Sequence, residues 1–245
     1  MSQESPRYLV TRTAAAKEFF VIANTDGVQD RIRIIGPSVA EPLNDTSKNL
    51  SREEFHRQCS LTEQDYVIAV VGRLERHRRI KDLIWATDML QFYGASVHLL
   101  VFGEGGQRWR LEKFAAQCGV KDRVHFLGER SDVAECLAHC DLLWQGNEVV
   151  GSGSAIIEAM SAGLPVVATD LPGHREFIIP EETGMLVPIG RRAEFAASAV
   201  RLLKDRELAR RWGEAGRARA RRDFSPDVLV QKYQELYRDL RRSFR

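Results

Sequence analysis

The chain has 245 residues, 44% hydrophobic and 29% charged, with a formal net charge of +2. Such a composition excludes a disordered or low-complexity protein, and the length supports a sizeable core. No apolar run approaches the roughly 20 residues that span a bilayer, the first residues lack the apolar core of a secretory signal, and the near-neutral balance gives no argument for nucleic acid.

Residues 1–60 precede the first clear strand. Thr13–Phe20 is expected to be helical, Arg31–Ile35 a short strand and Glu41–Asn49 a polar connection. Ser51–Cys59 has the pattern of a helix, because Ser51 and Glu54 have capping-box spacing. From Tyr66 onward, apolar runs of strand length alternate with amphipathic segments of helix length. The strands are expected at Tyr66–Val71, Val97–Phe102, Val124–Leu127, Leu142–Gln145, Pro165–Thr169 and Met185–Pro188. They are rich in Val, Ile and Leu without alternation, as strands buried on both faces should be. The helices between them are expected at Lys81–Tyr93, Gln107–Cys118, Ser131–His139, Ser154–Ala162 and near Arg175–Ile178. The pattern predicts an α/β fold: a Rossmann-like, doubly wound parallel sheet of about six strands with right-handed crossovers. After it come three helical segments, Arg192–Lys204, Arg206–Arg222 and Pro226–Arg242. Asp205 can cap the second, and Ser225-Pro226 is a favourable start for the third.

Two features carry alternatives. Cys59, Cys118, Cys136 and Cys140 have no zinc spacing, and with His139 between the last two they fit small buried groups in a reducing compartment. No metal and no cofactor is therefore expected. From Arg201 to Arg245 there are 14 Lys and Arg against 7 Asp and Glu. That tail is either a solvated helical face or a surface drawn to an anionic membrane or charged partner.

Ligands of doubly wound sheets sit at the carboxyl ends of the strands, so four loops matter. The first, Gly72 to Arg79, holds four arginines, whose guanidinium forks suit a diphosphate. The second holds Gly103 and Gly105, which permit a tight turn and close backbone approach. It does not match the dinucleotide fingerprint. The third, Gly128 to Asp132 with Arg130, can rim a base, or simply cap a helix. The fourth is the most informative. Gly151-Ser152-Gly153-Ser154 opens a helix, where N–H groups and the helix dipole favour phosphate. Glu158 follows about one turn in, within reach of an attached ribose. The plain alternative is a short loop and a core helix with one solvated glutamate.

In this order the loops resemble the carboxy-terminal half of the retaining GT-B nucleotide-sugar glycosyltransferases, and more closely the large family called glycosyltransferase group 1. The matching motifs are Gly72-Arg73-Leu74, Gly103-Glu104-Gly105, Phe126-Leu127-Gly128, Glu158-Ala159-Met160 through Gly163-Leu164-Pro165-Val166-Val167, and Gly184-Met185-Leu186-Val187. The match covers roughly residues 65–240. The resemblance implies that the domain binds a nucleotide diphosphate sugar, with UDP, GDP and ADP all open, and transfers a hexose to an acceptor hydroxyl with retention. It implies that Arg73 contacts the donor phosphates and Glu158 the ribose. Gly153 and Ser154, with Gly151 and Ser152 beside them, would face the diphosphate, and the base would lie near Gly128–Arg130.

Three departures accompany the match. Arg78 and Arg79 stand where the family has Lys followed by Gly. Val150 stands where it has a first Glu, with Glu148 as a conceivable substitute. The acceptor domain is not recognisable, and residues 1–60 look only like its end and the crossover, with 61–245 as the donor domain. The expected partners are a nucleotide sugar, a saccharide or lipid-linked acceptor, and a missing amino-terminal domain or partner subunit, with self-association also open. The expected location is cytoplasmic, with peripheral contact at the inner membrane face as the variant offered by the basic tail. A non-catalytic nucleotide-sugar or saccharide binding module is the first alternative. A GT-B epimerase or phosphorylase fragment is the second.

Overall fold

A computed structural model describes residues 9–11, 32–39, 51–94, 96–149 and 151–243. The expected helix Thr13–Phe20, the connection Glu41–Asn49 and position 150 lie outside the described residues.

Six strands form one parallel sheet. A separate two-stranded sheet precedes it, made of β1 (Leu9–Thr11) and β2 (Ile32–Ile34), also parallel. The first of these was not foreseen, because three residues carry no readable period. Helix α1 (Arg52–Gln58) starts as expected, with Ser51 Oγ accepting from the Glu54 N–H at 3.1 Å. The main sheet then contains β3 (Tyr66–Val71), β4 (Val97–Phe102), β5 (Val124–Gly128), β6 (Leu142–Gln145), β7 (Val166–Thr169) and β8 (Gly184–Val187). Its spatial order is β5-β4-β3-β6-β7-β8.

The apolar runs form this sheet because both faces are covered. Ile68 and Val70 project to one core and Val67 and Ala69 to the other, as the pleat requires. Helices α2 (Ile80–Leu90), α3 (Arg108–Gln117) and α7 (Arg192–Lys204) supply Leu83, Ile84, Leu111 and Phe195 to the first core. Helices α1, α4 (Val133–Leu137) and α5 (Ser154–Ala162) supply Phe55, Cys136, Ile157 and Met160 to the second. Helix α8 (Arg206–Asp223) places Trp212 in the first core and Ala220 in the second, with α9 (Pro226–Ser243) after it. Asp205 caps α8 through the Leu208 N–H at 2.8 Å.

Three elements differ from expectation by more than one residue at a boundary. Helix α4 is shorter than Ser131–His139. Asp132 is held by Arg130 at its start, and residues 138–140 tighten into three-residue hydrogen bonds at its end. The last turn expected of α2, Gln91–Tyr93, is a 3-10 turn. The short helix expected near Arg175–Ile178 comes earlier, as α6 (Pro172–Arg175), because Pro172 favours a helix start.

The basic tail is spent largely on the molecule itself. Arg201 pairs with Glu181, Arg206 with Asp141 and Arg210 with Glu207 and Glu214. Arg217 and Arg219 donate to the carbonyls of Ala162 and Glu176. Among the described residues no helix is long and apolar enough to cross a membrane.

At the amino edge of the sheet, His98 Nδ1 and His125 Nε2 are 3.0 Å apart. Burial lowers the pKa of both below the usual histidine value, although Asp65 opposes this. Below the ordinary histidine pKa of about 6.5 the unfolded chain therefore binds more protons than the folded one, so stability falls there as the pH is lowered. The melting midpoint should drop between pH 7.5 and 5.5, and His125→Gln should flatten that slope. An unchanged slope in the variant would remove the pair from the account.

Candidate functional site

The strand order reverses between β3 and β6, so a crevice opens at their carboxyl ends. On the β3 side the chain leaves through Gly72, at φ +143°. The next loop is fastened to the one after β4. The Leu74 N–H bonds to the Glu104 carbonyl at 2.9 Å, and the Gln107 N–H to the Leu74 carbonyl at 3.0 Å. A Cβ at Gly103 would fall 2.2 Å from the Gly72 oxygen, and one at Gly105 2.6 Å from the Leu74 oxygen. The close approach these glycines permit is thus to the neighbouring loop.

On the β6 side, Gln145, Gly146 and Asn147 lead toward Gly151–Ser154 and α5. The Thr169 hydroxyl donates to the Asn147 carbonyl and holds this turn. Gly153 caps α5 at φ +75°, so the first N–H groups of the helix face the crevice mouth without intrahelical partners. Between the two sides lies a cavity of about 100 Å³ lined by Gly72, Arg78, Asn147, Ser152–Ala155, Glu158 and His174.

Arg78 is the central charge. Its Nη1 donates to Asn147 Oδ1 at 3.3 Å, and its Nε is buried without a hydrogen-bond partner among the described residues. Burial lowers its pKa, and Glu75 partly offsets that. A half-buried guanidinium with spare donors is costly unless an anion completes it. Glu158, three residues past Ala155, is also half-buried. Desolvation raises its pKa, and no side-chain partner for it occurs among the described residues. His174 is buried, its Nδ1 2.7 Å from the Thr169 carbonyl. Burial lowers its pKa, the Thr169 bond opposes this, and Arg78 lowers it further.

The expected residues therefore separate into groups. Gly72, Arg78, Ser152, Gly153, Ser154 and Glu158 meet around one cavity, and Gly151 lies beside the Arg78 guanidinium. Arg73 borders a smaller recess shared with Gly72 and Arg78, but its side chain is 76% exposed and pairs with Glu75 at 3.2 Å. Glu148 does not line the cavity; its carboxylate accepts from Arg79 at 3.0 Å. Gly103, Gly105, Gly128 and Arg130 lie further along the same edge, at the ends of β4 and β5. Arg130 is held by Asp132 at 2.6 Å. Sequence reasoning missed Gln145 and His174. A polar residue ending the apolar run Leu142–Trp144 was the available signal for the first. The misplaced start of α6 hid the second.

An α/β sheet with an anion-ready crevice at its switch point defines a nucleotide-binding class of domain. Comparison with known proteins narrows this. Residues 51–219 match the model of the family "Glycosyl transferases group 1", and the chain belongs to that family. It is 29% identical over 189 residues to N-acetyl-alpha-D-glucosaminyl L-malate synthase of Bacillus anthracis, covering 77% of this chain and 49% of that protein. It is 27% identical over 218 residues to the lipopolysaccharide core biosynthesis glycosyltransferase LpsE of Rhizobium meliloti, covering 88% and 63%. The crystal structure of Anabaena Alr3699/HepE in complex with UDP and glucose superposes with a TM-score of 0.83 at 21% identity, over 95% of this chain and 62% of that one. That likeness carries the fold, a GT-B half, as the resemblance implied. The chain spans about half to two-thirds of the length of these relatives.

Proposed function

We propose that this chain is the donor-binding half of a glycosyltransferase that moves a hexose from a nucleotide diphosphate sugar to an acceptor hydroxyl with retention. The observation that carries the proposal is Arg78, a half-buried guanidinium with an unused Nε, set between Gly72, Gly151 and the start of α5. The diphosphate would lie against Arg78 and the N–H groups of α5, with Arg73 at its exposed side. Guanidinium and N–H dipoles fixed before reaction would stabilise the charge that develops on the leaving diphosphate. The ribose would donate its hydroxyls to Glu158. The base would extend along the strand ends toward Gly128 and Arg130.

The cavity alone is too small for a whole nucleotide sugar, and a second wall is required. A relative crystallised with UDP and glucose supports the donor class. An acceptor saccharide or lipid-linked acceptor would approach from an amino-terminal domain or partner subunit. A binding module without turnover is favoured by one observation, the engagement of Glu148 by Arg79. Acceptor-dependent turnover by this chain with its missing half decides between the two.

Glu158→Gln should weaken UDP binding more than it weakens binding of the 2′,3′-dideoxy analogue. An uncharged amide accepts less strongly than a carboxylate, and only the parent nucleotide has hydroxyls to donate. Calorimetry giving equal losses for both ligands would take Glu158 out of ribose recognition.

A further inference from the structure

A larger cavity than that of the donor site lies elsewhere among the described residues. It measures about 400 Å³ and lies on the other side of the Arg73–Arg79 loop, between the start of α2 and the exposed side of α3. Four of its lining cations, Arg76, Lys81, Arg110 and Lys113, have no carboxylate partner among the described residues. The one lining carboxylate, Glu75, is already engaged by Arg73 and His77. Arg79, also in the lining, is held by Asp82 and Glu148.

Two aromatic rings complete the wall. Trp109 is 60% exposed, an unusual setting for a tryptophan, and the Arg110 guanidinium lies 5.0 Å from its ring. The Lys81 ammonium lies 4.4 Å from the Phe114 ring. The rings hold both cations at the cavity without neutralising them. The volume is that of a small-molecule site.

We propose that this cavity binds an acidic saccharide chain, one that carries phosphate, sulfate or carboxylate groups. The unneutralised cations call for anions. The exposed indole suits the flat apolar face of a sugar ring. A concave wall fits a discrete ligand better than the plane of a lipid surface. The anion class rests on the cations alone; the saccharide class rests on the donor-half function proposed above. Because the Arg73–Arg79 loop separates the two cavities, the chain would be held beside the donor.

The test uses a heparin-derived hexasaccharide as the acidic probe and maltohexaose as the neutral one, titrated into the chain at low and moderate salt. The acidic probe should bind, lose affinity with salt, and bind equally well with UDP present. Arg110→Glu combined with Lys113→Glu should lower its affinity about tenfold or more, since two exposed attractive charge contacts become repulsive. Trp109→Ala should lower it as well. UDP affinity and melting midpoint should stay unchanged in these variants, whose side chains are exposed. Equal binding in the charge-reversed variant, or displacement of the probe by UDP, would overturn the proposal. So would equal binding of maltohexaose, or tighter variant-sensitive binding of an oligothymidylate or of phosphatidylglycerol vesicles. An unaltered chain that binds UDP but not the acidic probe sinks this site and leaves the donor site standing; one that binds the acidic probe but not UDP sinks only the donor site.

Discussion

Arg78→Ala should weaken UDP binding by about 1.5–3 kcal/mol, the range for hydrogen bonds to charged groups, or roughly 10- to 150-fold. Arg73→Ala should cost less, up to about 1 kcal/mol, as for exposed ion pairs. The family resemblance points first to Arg73, but the structure orders the two residues differently. Arg73 is largely exposed and already has Glu75 as a partner. Arg78 is half-buried, keeps Nε free, and sits where both loops converge. The Arg78→Ala protein should melt at the same temperature or higher, because a half-buried charge with an unpaired Nε has been removed. Arg78→Lys should lie between, since an ammonium cannot reproduce a bidentate fork. Calorimetry finding Arg73→Ala the more damaging would reverse the assignment.

Most of the sheet could be read from the sequence because its strands are buried on both faces. Continuous runs such as Tyr66–Val71 and Val97–Phe102 leave little choice of element. The short pieces were less legible. Leu9–Thr11 pairs only with Ile32–Ile34, and nothing within three residues announces a partner twenty positions away. The loop Gly151–Ser154 was legible as a candidate for a local reason: small residues, a helix start and a carboxylate one turn in are neighbours in the chain. Arg78 stood out as one arginine among four and, by resemblance, as the residue in place of the family's Lys. Its distinction from Arg73 is tertiary, since Asn147 and Gly151 come from the far side of the switch point. His174 and Gln145 were hidden for the same reason. Gly103 and Gly105 illustrate the reverse case. They were noticed correctly as close-approach glycines, but what they approach is a neighbouring backbone loop.

Gly153→Ala should be among the most damaging single changes in the chain, at about 2–5 kcal/mol. One part is conformational. Gly153 has φ +75°, where an L side chain costs about 1–2 kcal/mol. The other part is steric. A Cβ there would lie 2.1 Å from the Phe177 ring, and forcing atoms into a packed site costs about 1–3 kcal/mol. Phe177 cannot easily retreat, because it is 2% exposed and its ring packs 5.4 Å from that of Phe224. The ring therefore packs against the Gly151–Ser154 loop, and the loop moves if a methyl group is inserted. UDP affinity should fall even where the variant still folds, because the N–H groups of α5 are displaced from the crevice. The pair can be tested directly. Phe177→Ala alone should cost about 3–5 kcal/mol through the cavity it leaves. Combined with Gly153→Ala it should cost less than the two separately, by about 1 kcal/mol or more, since the first change makes room for the second. Strictly additive losses in denaturant unfolding would show that the ring does not set the loop. The cost at Gly153 would then be backbone strain alone.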